Sequence, residues 1–288
     1  MPRRRPRQRS RICTGTVDHR SGAGRGTDVH LGRAVTAARR GIPRQGGAHG
    51  PDPRDRCEAV LLDLDGTLVL SEEVHRLAWQ AFFDTWGVTV SDADYEQHYM
   101  GRRPSDVIAA VPGPWTGTDA AAVLSTMTAF TLEHAGSVKV VPGAAALIQQ
   151  LRVKYPLAVI TSASAPWAQH LLDKVLGVRH LVDVVITSED TTAGKPSPEG
   201  YLRACAALRA RPEHCLAFED SPSGVRALAA AGVRDIVGIT TTAAAADLTG
   251  AGARWTIPDL TSARLRTIRD ALQARTAAGR SNEKENRA

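Results

Sequence analysis

The four cysteines of this 288-residue chain, Cys13, Cys57, Cys205 and Cys215, form no C-x-x-C pair and no zinc-like spacing. That excludes a metal finger and a redox dithiol, and leaves reduced thiols used as small apolar residues in a cytoplasmic protein. No apolar run approaches the roughly 18 residues that a membrane span needs, so no membrane partner is expected. Arginines near the start have no apolar stretch behind them, which argues against a secretory signal. Lysine is missing from residues 1–56, which hold 14 arginines against four acidic residues. The formal charge of +6 therefore belongs to that leader, and residues 57–288 keep 22 of the 36 basic and 26 of the 30 acidic residues. The leader also lacks aromatics that would stack on bases between its arginines. Contact with nucleic acid would have to run through this arm. Its Arg, Gly, Pro and Ser content reads instead as a disordered leader that cannot bury enough apolar surface to order itself. An over-extended start of translation would look the same.

What remains is ordinary for a soluble globular chain, with 43% hydrophobic and 23% charged residues. A strand is expected over 59–64. A helix over 72–86 would place Val74, Leu77, Ala78, Ala81, Phe82 and Thr85 on one face. Helices over 104–111 and 119–135 are separated by the break Pro112-Gly113-Pro114. A helix follows over 143–152. Beyond it strands (157–161, 182–187, 216–219, 235–239 and a weaker one at 255–257) alternate with helices (166–176, 198–209, 222–231). Ser197 and Pro198 serve as N-cap and first residue of the second of these helices. Such alternation predicts an α/β fold: a Rossmann-like parallel sheet core flanked by helices, with an inserted all-helical domain. The expected boundaries are a leader at 1–56, core at 57–67 and 137–274, the helical insert at 68–136, and a disordered tail at 275–288.

Charged and hydroxyl residues stand where these strands end. The apolar run Ala59-Val60-Leu61-Leu62 leads into Asp63-Leu64-Asp65-Gly66-Thr67. The run Ala158-Val159-Ile160 leads into Thr161-Ser162, and Lys195 follows a third strand in Gly194-Lys195-Pro196. Glu219-Asp220 closes a fourth, before Ser221-Pro222. Ligands of parallel sheets bind at the carboxyl ends of strands, so these groups can meet. Burying unpaired acids is unfavourable without a cation or a reaction to engage them. Two acid pairs, a lysine and a hydroxyl are what phosphoryl transfer with a divalent ion requires.

This ordered set over about residues 57–260 resembles the four signatures of the haloacid dehalogenase superfamily. The resemblance implies that Asp63 is a nucleophile forming an aspartyl-phosphate, and that Asp65 protonates the leaving alcohol and then activates water. It implies that Mg²⁺ is held by Asp63, Asp220 and the Asp65 backbone carbonyl, with Glu219 in direct or water-mediated contact. Lys195 would neutralise phosphate charge, Thr161 would donate to a phosphoryl oxygen with Ser162 as the alternative, and Thr67 would orient Asp65. Dehalogenases of this fold lack the second aspartate, so Asp65 argues against a dehalogenase. The insert would act as a cap hinged near Gly66 and Pro142-Gly143. His75 and Trp79 match the H-x-x-A-W run of beta-phosphoglucomutases and related sugar-phosphate phosphatases, where His75 would sit near Asp65. The alternative for His75 is a surface position, with Trp79 in a core. Arg102 and Arg103, after Gly101, are candidates for substrate contact or solvated loop charges. The mutases carry an arginine three residues after that glycine, and Pro104 stands here. The runs Val141-Pro142-Gly143, Gly194 to Tyr201 and Thr240-Thr241-Thr242 are more similar to sugar- and polyol-phosphatases. The expectation is a Mg²⁺-dependent monomeric enzyme hydrolysing a small phosphorylated metabolite, with a phosphosugar mutase as the alternative.

Overall fold

The structure is a computed structural model that describes residues 57–261. The expected leader, the tail and the last part of the second core segment lie outside the described residues. The chain runs through β1 (Ala59–Leu62), β2 (Val69–Leu70), α1 (Glu72–Asp84), α2 (Asp92–His98), α3 (Pro104–Ala110), α4 (Ala120–Glu133), β3 (Lys139–Val140) and α5 (Ala144–Arg152). It continues through β4 (Leu157–Ile160), α6 (Ala165–His170), β5 (Val184–Ile186), α7 (Glu199–Leu208), β6 (Cys215–Glu219), α8 (Pro222–Ala230), β7 (Asp235–Ile239), α9 (Ala245–Ala251) and β8 (Trp255–Ile257). Six strands form one parallel sheet in the order β5-β4-β1-β6-β7-β8.

Every residue of β1 is fully buried because this strand is central and covered on both faces. Strand alternation sends Val60 and Leu62 into one apolar layer with Ile148, Trp167 and Leu171. Ala59 and Leu61 enter the opposite layer with Tyr201, Ala204, Val225 and Leu228. Sequential connections leave β1 toward β4 on one side and return to β6 on the other. The carboxyl ends of β1, β4 and β6 therefore border the crevice where the winding reverses.

Between β1 and the rest, α1 to α4 bury a separate cluster around Trp79, Phe83, Tyr99 and Trp115. Eight of the chain's 13 aromatic residues lie in this stretch. The segments leading into and out of it, β2 and β3, pair antiparallel. The face of α1 differs from the periodic expectation. Leu77 is 45% exposed while Trp79 and Phe83 are buried, because the ring cluster outbids the aliphatic stripe for contact. Two short helices, α2 and α9, were not anticipated. Helix α7 starts at Glu199 with Pro198 at its N-cap, one residue later than expected, although Ser197 Oγ still accepts from the Glu199 N–H at 3.3 Å. Helix α6 ends at His170 and continues as a π-type turn over Leu171–Val175. Cys205 and Cys215 are buried free thiols, with sulfurs 3.9 Å apart. Among the described residues no helix is long and apolar enough to cross a membrane.

Candidate active site

The ends of β1, β4 and β6 and the loop after β5 open on one cavity of about 680 Å³, which the helical insert lines from the other side. Asp63, Asp65, Thr161, Ser162, Lys195, Glu219 and Asp220 all line it. Asp63, the first residue past β1, is 4% exposed. Its Oδ1 accepts from the Lys195 ammonium, and its Oδ2 is buried with no hydrogen-bond partner. Lys195 also donates to Glu219 Oε1 at 2.7 Å. Carboxylate oxygens of Asp63, Glu219 and Asp220 lie within 4.8 Å of one another.

Two of these three buried carboxylates thus share one ammonium. Burial, reinforced by Glu219 and Asp65, pushes the Asp63 carboxyl up to about 7 despite Lys195. Burial together with Glu219 and Asp63 likewise drives Asp220 well above the usual range. Burial alone would depress Lys195, but Asp63 and Glu219 outweigh it and keep it an ammonium. The cluster is short of positive charge and has an unpartnered oxygen, which is the donor set a hard divalent cation fits.

Glu219 is more fully engaged than its neighbours. Its Oε2 accepts from the backbone N–H groups of Asp220 and Ser221, and its Oε1 from Lys195 and from Ser221 Oγ at 3.1 Å. It packs on Gly224, where a Cβ would stand 1.4 Å from Oε1. Gly224→Ala is therefore expected to cost about 3 kcal/mol or more and to lower Tm by roughly 6–12 °C. An unchanged melting temperature would mean that the carboxylate does not sit there. Asp220 is flanked by Thr67 Oγ1, donating to Oδ1 at 3.1 Å, and by Thr242 Oγ1, donating to Oδ2. Thr67 therefore serves Asp220 and not Asp65, a correction to the sequence expectation. It is carried there by the turn at Gly66, whose φ of +87° suits glycine and where a Cβ would meet Asp220 Oδ2 at 2.0 Å.

Asp65 is gripped by other groups. Its Oδ1 accepts from Ser71 Oγ at 2.7 Å and Trp167 Nε1 at 2.9 Å, and pairs with His75 Nε2 at 3.1 Å. Its Oδ2 accepts from Thr161 Oγ1 at 2.9 Å. Burial alone would raise Asp65, but His75, Trp167 and Ser71 outweigh it and hold the carboxyl well below its usual range. Burial would depress His75 too, and the Asp65 and Glu72 carboxylates raise it instead. The structure thus brings His75 to Asp65. Thr161 has its proton directed at Asp65 and accepts the Ala163 N–H at 3.0 Å, whereas Ser162 lines the cavity with its hydroxyl uncommitted among the described residues.

The two insert arginines separate. Arg102 is half-buried, lines the cavity and donates to the His98 carbonyl at 3.2 Å. Arg103 does not line that cavity. It is 8% exposed and committed to Asp106 and to backbone carbonyls of the loop after β5. The expected substrate contact by Arg103 is corrected accordingly. Sequence reasoning missed Ser71, Trp167 and Thr242 as partners of the acids. Ser71, at the head of α1, was the most accessible of these, since a hydroxyl there is a standard cap signal.

Residues 57–232 match the family described as haloacid dehalogenase-like hydrolase. The chain is 36% identical over 187 residues to validoxylamine A 7'-phosphate phosphatase of Streptomyces hygroscopicus subsp. limoneus, covering 64% of this chain and 86% of that protein. It is 31% identical over 190 residues to hexitol phosphatase A of Escherichia coli (strain K12), covering 62% and 81%. Among solved structures, CbbY from Rhodobacter sphaeroides in complex with phosphate matches with a TM-score of 0.61 at 30% identity, covering 72% of this chain and 96% of that one.

Proposed function

This chain belongs to the haloacid dehalogenase-like hydrolases, and we propose that within them it is a Mg²⁺-dependent phosphomonoesterase acting on a small sugar or polyol phosphate through an aspartyl-phosphate. The observation that carries the reading is the buried, unpartnered Asp63 Oδ2 beside Lys195 and Asp220, with Asp65 two residues on in the same cavity. The named phosphatases among its relatives support the substrate class.

Asp63, Asp220 and the Asp65 backbone carbonyl would hold the ion, with Glu219 behind them. When bound, Mg²⁺ offsets the charge of acids and phosphate and stabilises charge on the transferring group. Asp63 attacks phosphorus, forming an O–P bond as the ester O–P bond breaks. Asp65 passes a proton to the departing alkoxide, and the proton can come from His75, which the pair keeps protonated. Asp65 then takes a proton from the water that attacks the aspartyl-phosphate, releasing inorganic phosphate and restoring Asp63. Lys195 holds Asp63 in place and balances phosphate charge. Ser162 is the better placed hydroxyl for a phosphoryl oxygen, because Thr161 donates to Asp65. Helices α1 to α4 act as the cap that covers the substrate.

Hydrolysis is favoured over mutase chemistry by the cap loop. Pro104 offers no cation for a second phosphate, and Arg103 is committed elsewhere. A phosphate-release screen across hexose, polyol and other phosphometabolites, with and without Mg²⁺, tests the proposal. Release only with the metal is expected, without isomerised product. Isomerisation dependent on a bisphosphate activator would establish the mutase instead, and absence of release from any ester would refute the phosphatase.

A further inference from the structure

Arg103 stands at the N-cap of α3, on the insert, yet all five of its N–H groups are used, and the groups that receive them include three carbonyls and the Thr191 hydroxyl of the core. Nε and Nη2 donate to Asp106 Oδ1 at 2.9 and 2.6 Å. Nη1 reaches the carbonyls of Ser188 and Thr191 at 3.1 and 2.8 Å, and Nη2 the carbonyl of Thr192 at 2.9 Å. The other oxygen of Asp106, Oδ2, accepts the Gly194 N–H at 3.2 Å. Gly194 is the residue before Lys195. The approach needs a glycine, since a Cβ there would stand 2.6 Å from Asp106 Oδ2.

We infer that Arg103 and Asp106 are positioning residues that latch the insert to the Lys195 loop, so that seating of the insert sets the lysine that holds the nucleophile. The inference rests on the reading of Lys195 as the cation of the phosphoryl site. The loop between β5 and α7 carries Lys195 from a stretch with little regular structure. On its core side it is pinned by Glu199, whose Oε2 accepts the N–H groups of Thr192 and Ala193, both at 3.0 Å. On its other side the pins are Arg103 and Asp106. Loop carbonyls that the insert shields from solvent in part need donors, and a planar guanidinium can satisfy three at once where an ammonium cannot. When α3 moves away, these carbonyls and the Gly194 N–H lose their partners together. Lys195 then keeps its own bonds to Asp63 and Glu219 and the Glu199 pin behind the loop, and loses the pins on the insert side. Closure of the insert and assembly of the site's positive charge become one event. This gives a two-sided device: an insert that closes without reaching the loop leaves Lys195 poorly placed, and a misplaced loop leaves Arg103 with Asp106 alone and its remaining donors unpaired, which is unfavourable.

Hydrogen exchange and kinetics on Arg103→Met and Asp106→Asn test the inference. Arg103→Met keeps the stem and removes all five donors. Asp106→Asn is isosteric and removes the charge that orients Arg103. In both, amides from Thr191 to Lys195 are expected to exchange at least about tenfold faster, while β1 and β6 keep their protection. With any ester the screen identifies, kcat/KM is expected to fall by about tenfold or more, and inhibition by inorganic phosphate to weaken in parallel. Unchanged exchange across Thr191 to Lys195 overturns the latch. So does faster exchange spread evenly over the insert and the sheet, which would mark a general folding role. A wild-type-like kcat/KM in both variants overturns the link to Lys195. The exchange arm needs no substrate, so failure of the phosphatase reading is distinguishable from failure of the latch.

Discussion

Asp63→Asn is expected to lower kcat for phosphate release by on the order of 10⁴-fold or more and, in metal-free protein, to leave the fold as stable as before or more so. The two halves have one origin. The carboxylate stands at the end of a strand buried on both faces, with one oxygen on Lys195 and the other without a partner. Burial and the neighbouring acids already push its carboxyl up to about 7, so the charged form is unfavourable in the folded protein. Asparagine fills the same volume without that charge, which relieves repulsion against Glu219 and Asp220. An amide oxygen cannot take up phosphorus as a carboxylate does, so chemistry stops while the fold persists. Phosphate release and thermal melting on the same preparation read both effects. Activity within tenfold of the wild type would remove Asp63 from the role of nucleophile.

The strand ends were readable because they obey local rules. A short apolar run that gives way to a polar residue or a proline marks where a buried parallel strand leaves the sheet, and β7 and β8 have the expected limits. The acids and lysine that follow such runs then converge by topology alone. The chain hides what depends on distance in sequence. Trp167 reads as an apolar helix residue, and nothing nearby says that its indole N–H meets Asp65 across 102 positions. Thr67 lies two residues after Asp65 in sequence, but the turn at Gly66 carries its hydroxyl to Asp220. Helix α2 is polar along most of its length and buries only Tyr95, so no periodic stripe announces it, while Ser91 caps it by accepting the Asp94 N–H. The paired strands β2 and β3, two residues each, are too short to show alternation. Arg103 and Arg102 are adjacent in the sequence and equivalent in charge. Only the position of the loop after β5 separates the one that faces the cavity from the one that fastens the insert.

Withdrawing Mg²⁺ is expected to reduce phosphate release to background, and the accompanying loss of stability should depend on pH in a direction the acid cluster dictates. Burial, with the neighbouring acids, raises Asp63 and Asp220 above their unfolded values. Between the ordinary carboxylate range of about 4 and the raised value near 7, the metal-free folded protein binds more protons than the unfolded chain. Its stability therefore falls as pH rises across that window. Mg²⁺ requires deprotonated ligands and so competes with those protons. At saturating metal near about pH 8 the ion should add about 2.7 kcal/mol at a hundredfold excess over its Kd, or roughly 5–10 °C in Tm. Near about pH 6, a proton held on Asp63 competes with the ion, so the gain should be smaller there. Melting curves with chelator or Mg²⁺ at both pH values measure this without any substrate. A metal-induced gain that is equal or larger on the acid side would mean that the three carboxylates are not where the cation binds, and the phosphoryl-transfer reading would lose its charge balance.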